Sequence, residues 1–351
     1  MFINRIKRED CRGLSPFLRI SIFPFLYIPE FLIAKEEREA KLYGGQAILE
    51  GVMMKGATKA VASVRNPQGR IVSKVIRIWP EKKGFDVRRI VLIRGIFLLF
   101  ESLSLGMSAL RYSAEAAFPE EEEKPNPIFE HLMFVVSIAL AIGLFVVLPT
   151  GLLKWIGLKP EGLDLAASDP KAIVLNLLEG VIKIAIFVGY ILAISLMKDI
   201  KRVFQYHGAE HKTVNAYEAK VPLTVENVQK HSTSHYRCGT SFIFIVVVVH
   251  ILLVALFGFS DSIWYRIAVR LLTLLPVAAI SYELLRLSAA NKSNIFCKVL
   301  FSPGLAFQKI TALQPDDEMV EVAIHSFRQV VPEADPQIIG AQDLLAEAAD
   351  S

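Results

Sequence analysis

Apolar residues along this chain fall into long runs that are separated by short polar segments. A helix needs about 20 consecutive apolar residues to cross the hydrocarbon core of a bilayer. Runs of this kind predict four transmembrane helices, at residues 132–149, 173–197, 240–259 and 263–287. A further apolar stretch, 90–116, places Arg94, Glu101 and Ser108 on one face of a helix. That stripe favours an interfacial or re-entrant helix, and a span whose polar stripe faces other helices also fits it.

The segment before these helices has the period of two that is typical of β-strands. Residues 61–65 and 70–78 alternate apolar and polar positions on either side of the turn sequence NPQG at 66–69. This pattern predicts a hairpin with one face covered, and residues 46–54 predict another strand. The fold class is therefore a polytopic α-helical membrane protein with a small, β-rich N-terminal subdomain.

The predicted domains follow from these changes of pattern. They are an amphipathic N-terminal segment at 1–42, the β-rich cytoplasmic subdomain at 43–89, the interfacial or re-entrant helix at 90–116, an acidic linker at 117–130, the transmembrane domain at 131–290 with a histidine loop at 198–239, and cytoplasmic C-terminal helices at 291–351.

Composition and charge support a membrane protein. Hydrophobic residues make up 53% of the chain and charged residues 21%, which is more apolar than ordinary soluble domains. The formal net charge of +4 fits lysines and arginines in cytoplasmic loops, and no nucleic-acid-binding signature is present. The positive-inside rule predicts that both termini and the histidine loop lie in the cytoplasm. The bilayer is the expected partner, together with an unknown substrate or protein.

The sequence HGAEH at residues 207–211 carries the candidate chemistry. His207 and His211 are four residues apart, so they share one face of the amphipathic helix that is predicted for 199–217. Two imidazoles beside the carboxylate of Glu210 suit a divalent transition metal such as zinc. Zinc lowers the pKa of a bound water to about 7, so Glu210 is the expected general base.

Two protein ligands do not make a stable metal site, so others must complete it. The leading candidates are His235 and Cys238, with His231 one predicted helical turn before His235. A carboxylate could serve instead, and the candidates are Glu50, Glu218 and Glu283.

Glu283 is notable because it falls inside a predicted span. An ionisable group there usually faces a partner or a cavity. A pair with Arg286, one helical turn later, is the simpler alternative. Arg266 and Arg270 at the other end of the same span are expected to be interfacial anchors.

Three segments resemble one known family: GGQAILEGVMM at 44–54, YHGAEHKT at 206–213 and RCGTSF at 237–242. They are similar to the YqhQ-like family of bacterial membrane proteins of unknown function, generally labelled "predicted metal-dependent enzyme". The resemblance covers roughly 44–315, and Tyr236 stands where the family pattern has proline. It implies a bacterial cytoplasmic-membrane protein in which the segment around Glu50 lies close to the His207 helix.

Two functional hypotheses follow. The first is a membrane metal-dependent hydrolase with its site at the cytoplasmic interface, acting on a peptide or a lipid-linked substrate. The second is a non-enzymatic transporter, sensor or scaffold with a structural metal site, in which Glu283, Arg94 and Glu101 line a path. A plain membrane anchor for a soluble partner is a third option.

Overall fold

The computed structural model describes residues 43–79, 90–118, 127–158, 163–290 and 295–331. The predicted amphipathic segment at 1–42, most of the acidic linker and the predicted terminal helix at 338–349 lie outside these residues.

The four described strands form an antiparallel sheet in chain order. They are β1 (Gly44–Ile48), β2 (Gly51–Lys55), β3 (Ala60–Arg65) and β4 (Ile71–Ile76). The hairpin that was predicted around residues 66–69 is confirmed, with Asn66 accepting a hydrogen bond from the amide of Arg70 at 2.9 Å. The single strand that was predicted at 46–54 was wrong, because Glu50 takes a positive φ of 49° and reverses the chain between β1 and β2.

The helices occupy most of the remaining described chain. They are α1 (Ile93–Ala117), α2 (Pro127–Ile142), α3 (Leu148–Trp155), α4 (Pro170–Ile194), α5 (Lys198–Glu218), α6 (Val225–Gln229), α7 (Gly239–Val254), α8 (Ile263–Ala290), α9 (Ile295–Thr311) and α10 (Asp317–Val330). A π-helical turn, Gly143–Val147, joins α2 to α3, and a 3-10 turn, Ala255–Phe257, follows α7.

Side-chain caps fix the start of several helices. Asp169, Thr224 and Asp316 each accept a hydrogen bond from a backbone amide in the first turn of α4, α6 and α10. Such caps satisfy amides that have no partner inside the helix.

Five helical segments in the described chain are long and apolar enough to cross a membrane by length and composition. They are Ile93–Ala117, Leu132–Trp155, Pro170–Ile194, Gly239–Phe257 and Ile263–Arg286. Four of these overlap the predicted spans, and the fifth is α1. Whether α1 crosses the bilayer or lies at its interface stays a prediction.

Both faces of the sheet are covered, whereas one covered face was expected. On one face, Val52, Met54 and Val61 pack with residues of α5 and α10 in one apolar cluster. On the other face, Met53 and Ala62 pack against the second half of α1. One covered face was expected because apolar and polar positions alternate on both sides of the turn, but β3 is buried along five of its six residues, whereas β4 has three exposed residues.

The first half of α1 packs on α8 instead. A Cβ atom on Gly95 would stand 2.8 Å from the side chain of Tyr282, so the two helices are in close contact there. Helix α1 therefore packs against both the helical bundle and the sheet. The sheet lies at the end of the bundle where α5 is found.

Several charged residues pair differently from the simplest expectation. Glu283 forms a bidentate ion pair with Arg94 of α1 rather than with Arg286, and Glu101 pairs with Lys55 at 2.6 Å. Ser108, the third residue of the predicted polar stripe, is exposed and donates to the carbonyl of Ser104 instead of joining an ion pair. Arg266 and Arg270, which were expected to be interfacial anchors, both bind the buried carboxylate of Glu179, and their position at the interface stays a prediction.

Candidate metal centre

Helix α5 carries the histidine motif and is held at its centre by a close backbone contact. The predicted helix at 199–217 is confirmed as Lys198–Glu218. Gly208 lies so near the irregular segment before α10 that an added Cβ would stand 1.8 Å from the carbonyl oxygen of Leu313. The amide of Leu313 in turn donates to the carbonyl of Phe204 at 2.9 Å. Glycine is required here because any side chain would displace that segment.

Both motif histidines have the same orientation, with Nδ1 on a backbone carbonyl. Nδ1 of His207 lies 2.6 Å from the carbonyl oxygen of Thr311, and Nδ1 of His211 lies 2.5 Å from that of Thr233. A carbonyl oxygen can only accept, so each Nδ1 carries the proton and each Nε2 keeps a lone pair in the neutral ring. Metal-binding histidines usually have this arrangement, because the carbonyl fixes both the tautomer and the ring.

Cys238 completes the group from the N-cap position of α7. Its Sγ is 3.1 Å from Nε2 of His207, and it accepts a hydrogen bond from the amide of Thr240 at 3.3 Å. One ligand atom from each of His207, His211 and Cys238 lies within 4.8 Å of the other two. Ligand atoms around a tetrahedral zinc ion are roughly 3.3 to 3.6 Å apart. The donor set suits a divalent transition metal, and the three atoms are close enough to form a possible ligand group, although a separation as wide as 4.8 Å would have to shorten around a bound ion.

The buried Nε2 of His211 has no hydrogen-bond partner among the described residues. It lies 3.4 Å from Oε2 of Glu210, and His211 is 1% exposed. A buried lone pair that faces another acceptor is costly unless a proton or a cation lies between them. A proton shared with Glu210 or a bound cation would satisfy this atom, and the buried Nε2 of His235 is likewise without a hydrogen-bond partner among the described residues.

Glu210 lies against both the histidines and the sheet. Its carboxylate accepts the amide of Gly45 in β1, and a Cβ on Gly45 would stand 2.8 Å from Cγ of Glu210. Burial raises the pKa of the Glu210 carboxyl, and electrostatic interactions with His207 and His235 and the hydrogen bond from the Gly45 amide offset only part of this rise. A carboxyl group with a raised pKa is a better proton acceptor at neutral pH.

The loop that leads to Cys238 is fixed by donors from α5. Nζ of Lys212 donates to the carbonyls of Gln229 and His231 at 2.7 Å each, and Nδ2 of Asn215 donates to those of Ser232 and Ser234. Together with Nδ1 of His211 on Thr233, these side chains satisfy the carbonyls of 229 and 231–234. Helix α5 thus positions the loop as well as providing two ligands.

His235 lies beside the cluster but outside the three-ligand group. Its ring centroid is 5.7 Å from that of His211, its Nδ1 accepts the amide of Arg237 at 3.4 Å, and its Nε2 is 3.6 Å from Glu218. Gln308 of α9 bonds both its backbone amide and its carbonyl at 2.8 Å. Burial lowers the pKa of His235, which favours the neutral ring.

The other candidate ligands are distributed around the centre. His231 lies in an irregular loop, not on the helical turn that was predicted, and Glu218 binds Arg237. Glu50 forms a bidentate ion pair with Arg202 of α5 at 2.5 Å, which confirms that the Glu50 segment lies against the His207 helix. Glu283 pairs with Arg94 of α1. None of these four belongs to the described three-ligand group.

Sequence reasoning missed the groups that orient the motif. Thr233 and Thr311 act through backbone carbonyls, which no side-chain pattern reveals. Gly45 could have been noticed from the glycine pair that opens β1, since paired glycines often mark a close backbone approach.

Fold and site together define a helical protein whose described residues include five membrane-length apolar helices, a small sheet, and a His/Cys cluster between the sheet and the end of the bundle.

A family model described as "Protein of unknown function (DUF1385)" matches residues 90–333. The uncharacterised protein YqhQ of Bacillus subtilis (strain 168) is 35% identical over 302 residues, which cover 82% of this chain and 92% of that protein. The chain therefore belongs to the YqhQ-like DUF1385 family, whose function is unknown, and the resemblance seen in its sequence is confirmed. No solved structure matches the chain.

Proposed function

We propose that this protein is a membrane metal-dependent hydrolase whose metal is held by His207, His211 and Cys238. The observation that carries the proposal is the buried, unpartnered Nε2 of His211, which faces a thiol, a second imidazole and a carboxylate. Three protein ligands leave one coordination position open, as in catalytic zinc sites.

Glu210 is the proposed general base. A bound zinc ion supplies a water whose pKa is near 7. The Glu210 carboxylate lies against His211 and is excluded from bulk solvent, so it would be the residue that accepts a proton at this site and returns it to a leaving group. Gly45 holds the carboxylate through its backbone amide, which leaves the second oxygen for the proton.

The site is proposed to lie at the cytoplasmic interface, where α5 follows directly on α4. A substrate at this place is a peptide segment near the membrane or a lipid-linked ester or phosphate. The path that the non-enzymatic hypothesis assigned to Arg94, Glu101 and Glu283 has no support of its own, because these side chains pair with each other or with Lys55.

Elemental analysis of the detergent-purified full chain tests the metal. We expect about one transition-metal ion per chain, and its loss in His207→Ala and in Cys238→Ala. His231→Ala is the matched control, because it removes a loop histidine outside the group. A wild-type protein without bound metal after purification in metal-supplemented medium would contradict the proposal.

Cobalt substitution and Glu210→Gln then separate an enzyme from a structural site. A visible cobalt spectrum that shifts when azide is added shows an open position, whereas a closed four-ligand site does not respond. Glu210→Gln is expected to keep the metal and to lose hydrolysis of a chromogenic ester, a phosphodiester and labelled casein. Loss of metal in Glu210→Gln would make Glu210 a ligand and the site structural.

A further inference from the structure

Helix α1 is divided between two packing environments. Its first half packs on the candidate span α8, where Arg94 pairs with Glu283. Its second half packs on the sheet, where Leu105 and Ala109 belong to the same apolar cluster as Met53 of β2. The position of the sheet therefore decides where the second half of α1 lies relative to a bilayer.

The sheet has the surface of a domain in water. Strand β4 is at the edge of the four described strands, and three of its residues are exposed: Ser73, Lys74 and Val75. Open sheet edges do not occur in the hydrocarbon core, because their unpaired backbone groups would have no partner there. Helix α5, on the other face of the sheet, begins with four exposed charged residues: Lys198, Asp199, Lys201 and Arg202. The second half of α1 therefore lies beside the hydrocarbon core and does not cross it.

The surface of α1 that faces away from the sheet has two distinct strips. An apolar strip occupies about 80° of the helix circumference at 100° per residue, and its side chains are 37–67% exposed: Phe100, Leu103, Met107 and Leu110. A polar strip runs next to it, with exposed residues at Ser104, Ser108, Arg111 and Glu115. A contiguous exposed apolar strip of this kind usually marks an interaction surface.

Two observations indicate lipid as the partner of the apolar strip. The strip continues onto the half of α1 that packs against the bundle, because the exposed Ile93 lies two helical turns before Phe100 on nearly the same line. It is therefore continuous with the surface around α8, a candidate span. In addition, an apolar strip beside a polar one is the pattern of helices that lie in the membrane interface.

We propose that the second half of α1, residues 101–117, lies in the plane of the membrane interface with the apolar strip inserted among the acyl chains of one leaflet. The helix then lies between the leaflet and the sheet, and the polar strip faces the lipid headgroups. Because Gly45 of the same sheet donates its amide to Glu210, this attachment also holds one wall of the histidine cluster at the membrane surface. The attachment is independent of the proposed hydrolase activity.

Spin labels on the full chain in nanodiscs of phosphatidylcholine and phosphatidylglycerol test this arrangement. Cys11→Ser and Cys297→Ser leave Cys238, which is buried, as the remaining cysteine. Any signal from Cys238 is measured in this background and subtracted. Single labels are then introduced in the apolar strip with three separate variants: Leu103→Cys, Met107→Cys and Leu110→Cys.

Matched controls come from neighbouring residues of the same helix and from two reference positions. Ser104→Cys and Ser108→Cys each lie one residue beyond a labelled position but in the polar strip. Leu272→Cys, an exposed side chain within α8, is the reference for a deep position, and Gln68→Cys in the β3–β4 turn is the reference for water. Collision rates with oxygen and with a water-soluble nickel chelate give the depth of each label.

We expect the three apolar-strip labels to lie at a similar depth, about 5–10 Å into the boundary between headgroups and acyl chains. The nickel chelate should reach Ser104→Cys and Ser108→Cys, so the depth should alternate with the helical period. A helix that crosses the bilayer instead places its middle residues about 15 Å deep, at half the thickness of the hydrocarbon core, and shields both strips from the chelate.

Three results would overturn the proposal. A depth that rises to that of Leu272→Cys along the helix would make α1 a transmembrane span. Exclusion of both oxygen and the chelate from the apolar strip would show that another part of the chain or a second copy covers it. Full access of the chelate to the apolar strip would show that it faces water. The three labelled positions are independent, so one variant that does not fold leaves two that decide the question.

Discussion

Replacing Gly208 by alanine should damage both the stability of the protein and its metal site. In most helices this change is favourable, because alanine has the higher helix propensity by about 1 kcal/mol. Here the new Cβ would lie 1.8 Å from the carbonyl oxygen of Leu313, and contacts under 3.0 Å are not tolerated. The atom in the way belongs to the backbone, so rotation of a side chain cannot relieve the clash.

The size of the effect follows from what must move. Overpacking in a closed interior costs about 1–3 kcal/mol, and the required displacement is at the upper end of what such sites absorb. Against the gain of about 1 kcal/mol in propensity, we expect a net loss of about 1–2 kcal/mol in the free energy of unfolding. Movement of the Leu313 segment also shifts Thr311, whose carbonyl holds Nδ1 of His207. Loss of such an orienting group typically weakens metal binding about 10- to 100-fold.

The assay is the thermal midpoint of detergent-purified protein together with its metal content after dialysis against a chelator. Gly189→Ala is the matched control, because Gly189 is also helical and its added Cβ meets nothing within 4 Å. The control should match wild type or exceed it slightly. If Gly208→Ala kept the wild-type midpoint and retained metal equally well, the close approach of α5 to the Leu313 segment would be refuted.

Three further predictions address other contacts. Lys55→Ala leaves the carboxylate of Glu101, which is 6% exposed, without its cation, so we expect a loss of about 1–3 kcal/mol in unfolding free energy, whereas Lys59→Ala should have little effect. Asp316→Ala removes the cap of α10 and should cost about 1 kcal/mol, and Asp316→Asn should restore it; equal midpoints for the two variants would contradict the capping role. His235→Ala should keep its metal in elemental analysis while Cys238→Ala loses it, because only Cys238 belongs to the three-ligand group; loss of metal in both would add His235 to the shell.

Local patterns in the sequence were enough to place the motif helix but not to choose its third ligand. The helix at 198–218 was predicted within one residue at each end, because a helical period and a four-residue histidine spacing are properties of the helix alone. The choice among His231, His235 and Cys238 depends on the course of the loop after α6. That course is set by Lys212 and Asn215 through backbone carbonyls, which are identical at every residue and so leave no trace in the sequence.

The sheet shows a related limit. Alternation along β3 and β4 predicted the hairpin, since register and turn are encoded nearby. Helix α1 covers one face of the sheet and α10 covers the other. Helix α10 is distant in sequence: Ser326 donates a hydrogen bond to the carbonyl of Val61, 265 residues earlier in the chain. Alternation identifies which residues share a face, but it does not identify what packs there.

The charges inside the spans show what sequence reasoning could have done and did not. Glu283 drew attention, whereas Glu179 and Lys183 were absorbed into an apolar run by averaging hydropathy over the whole window. Glu179 meets its arginines across 87 and 91 residues, so no local pattern pairs them. However, a buried ion must find a partner of opposite sign somewhere in the bundle. Within these stretches of the two predicted spans, the sequence has one acidic residue, Glu179, and three basic residues, Lys183, Arg266 and Arg270. The excess of basic over acidic residues can therefore be counted from the sequence alone.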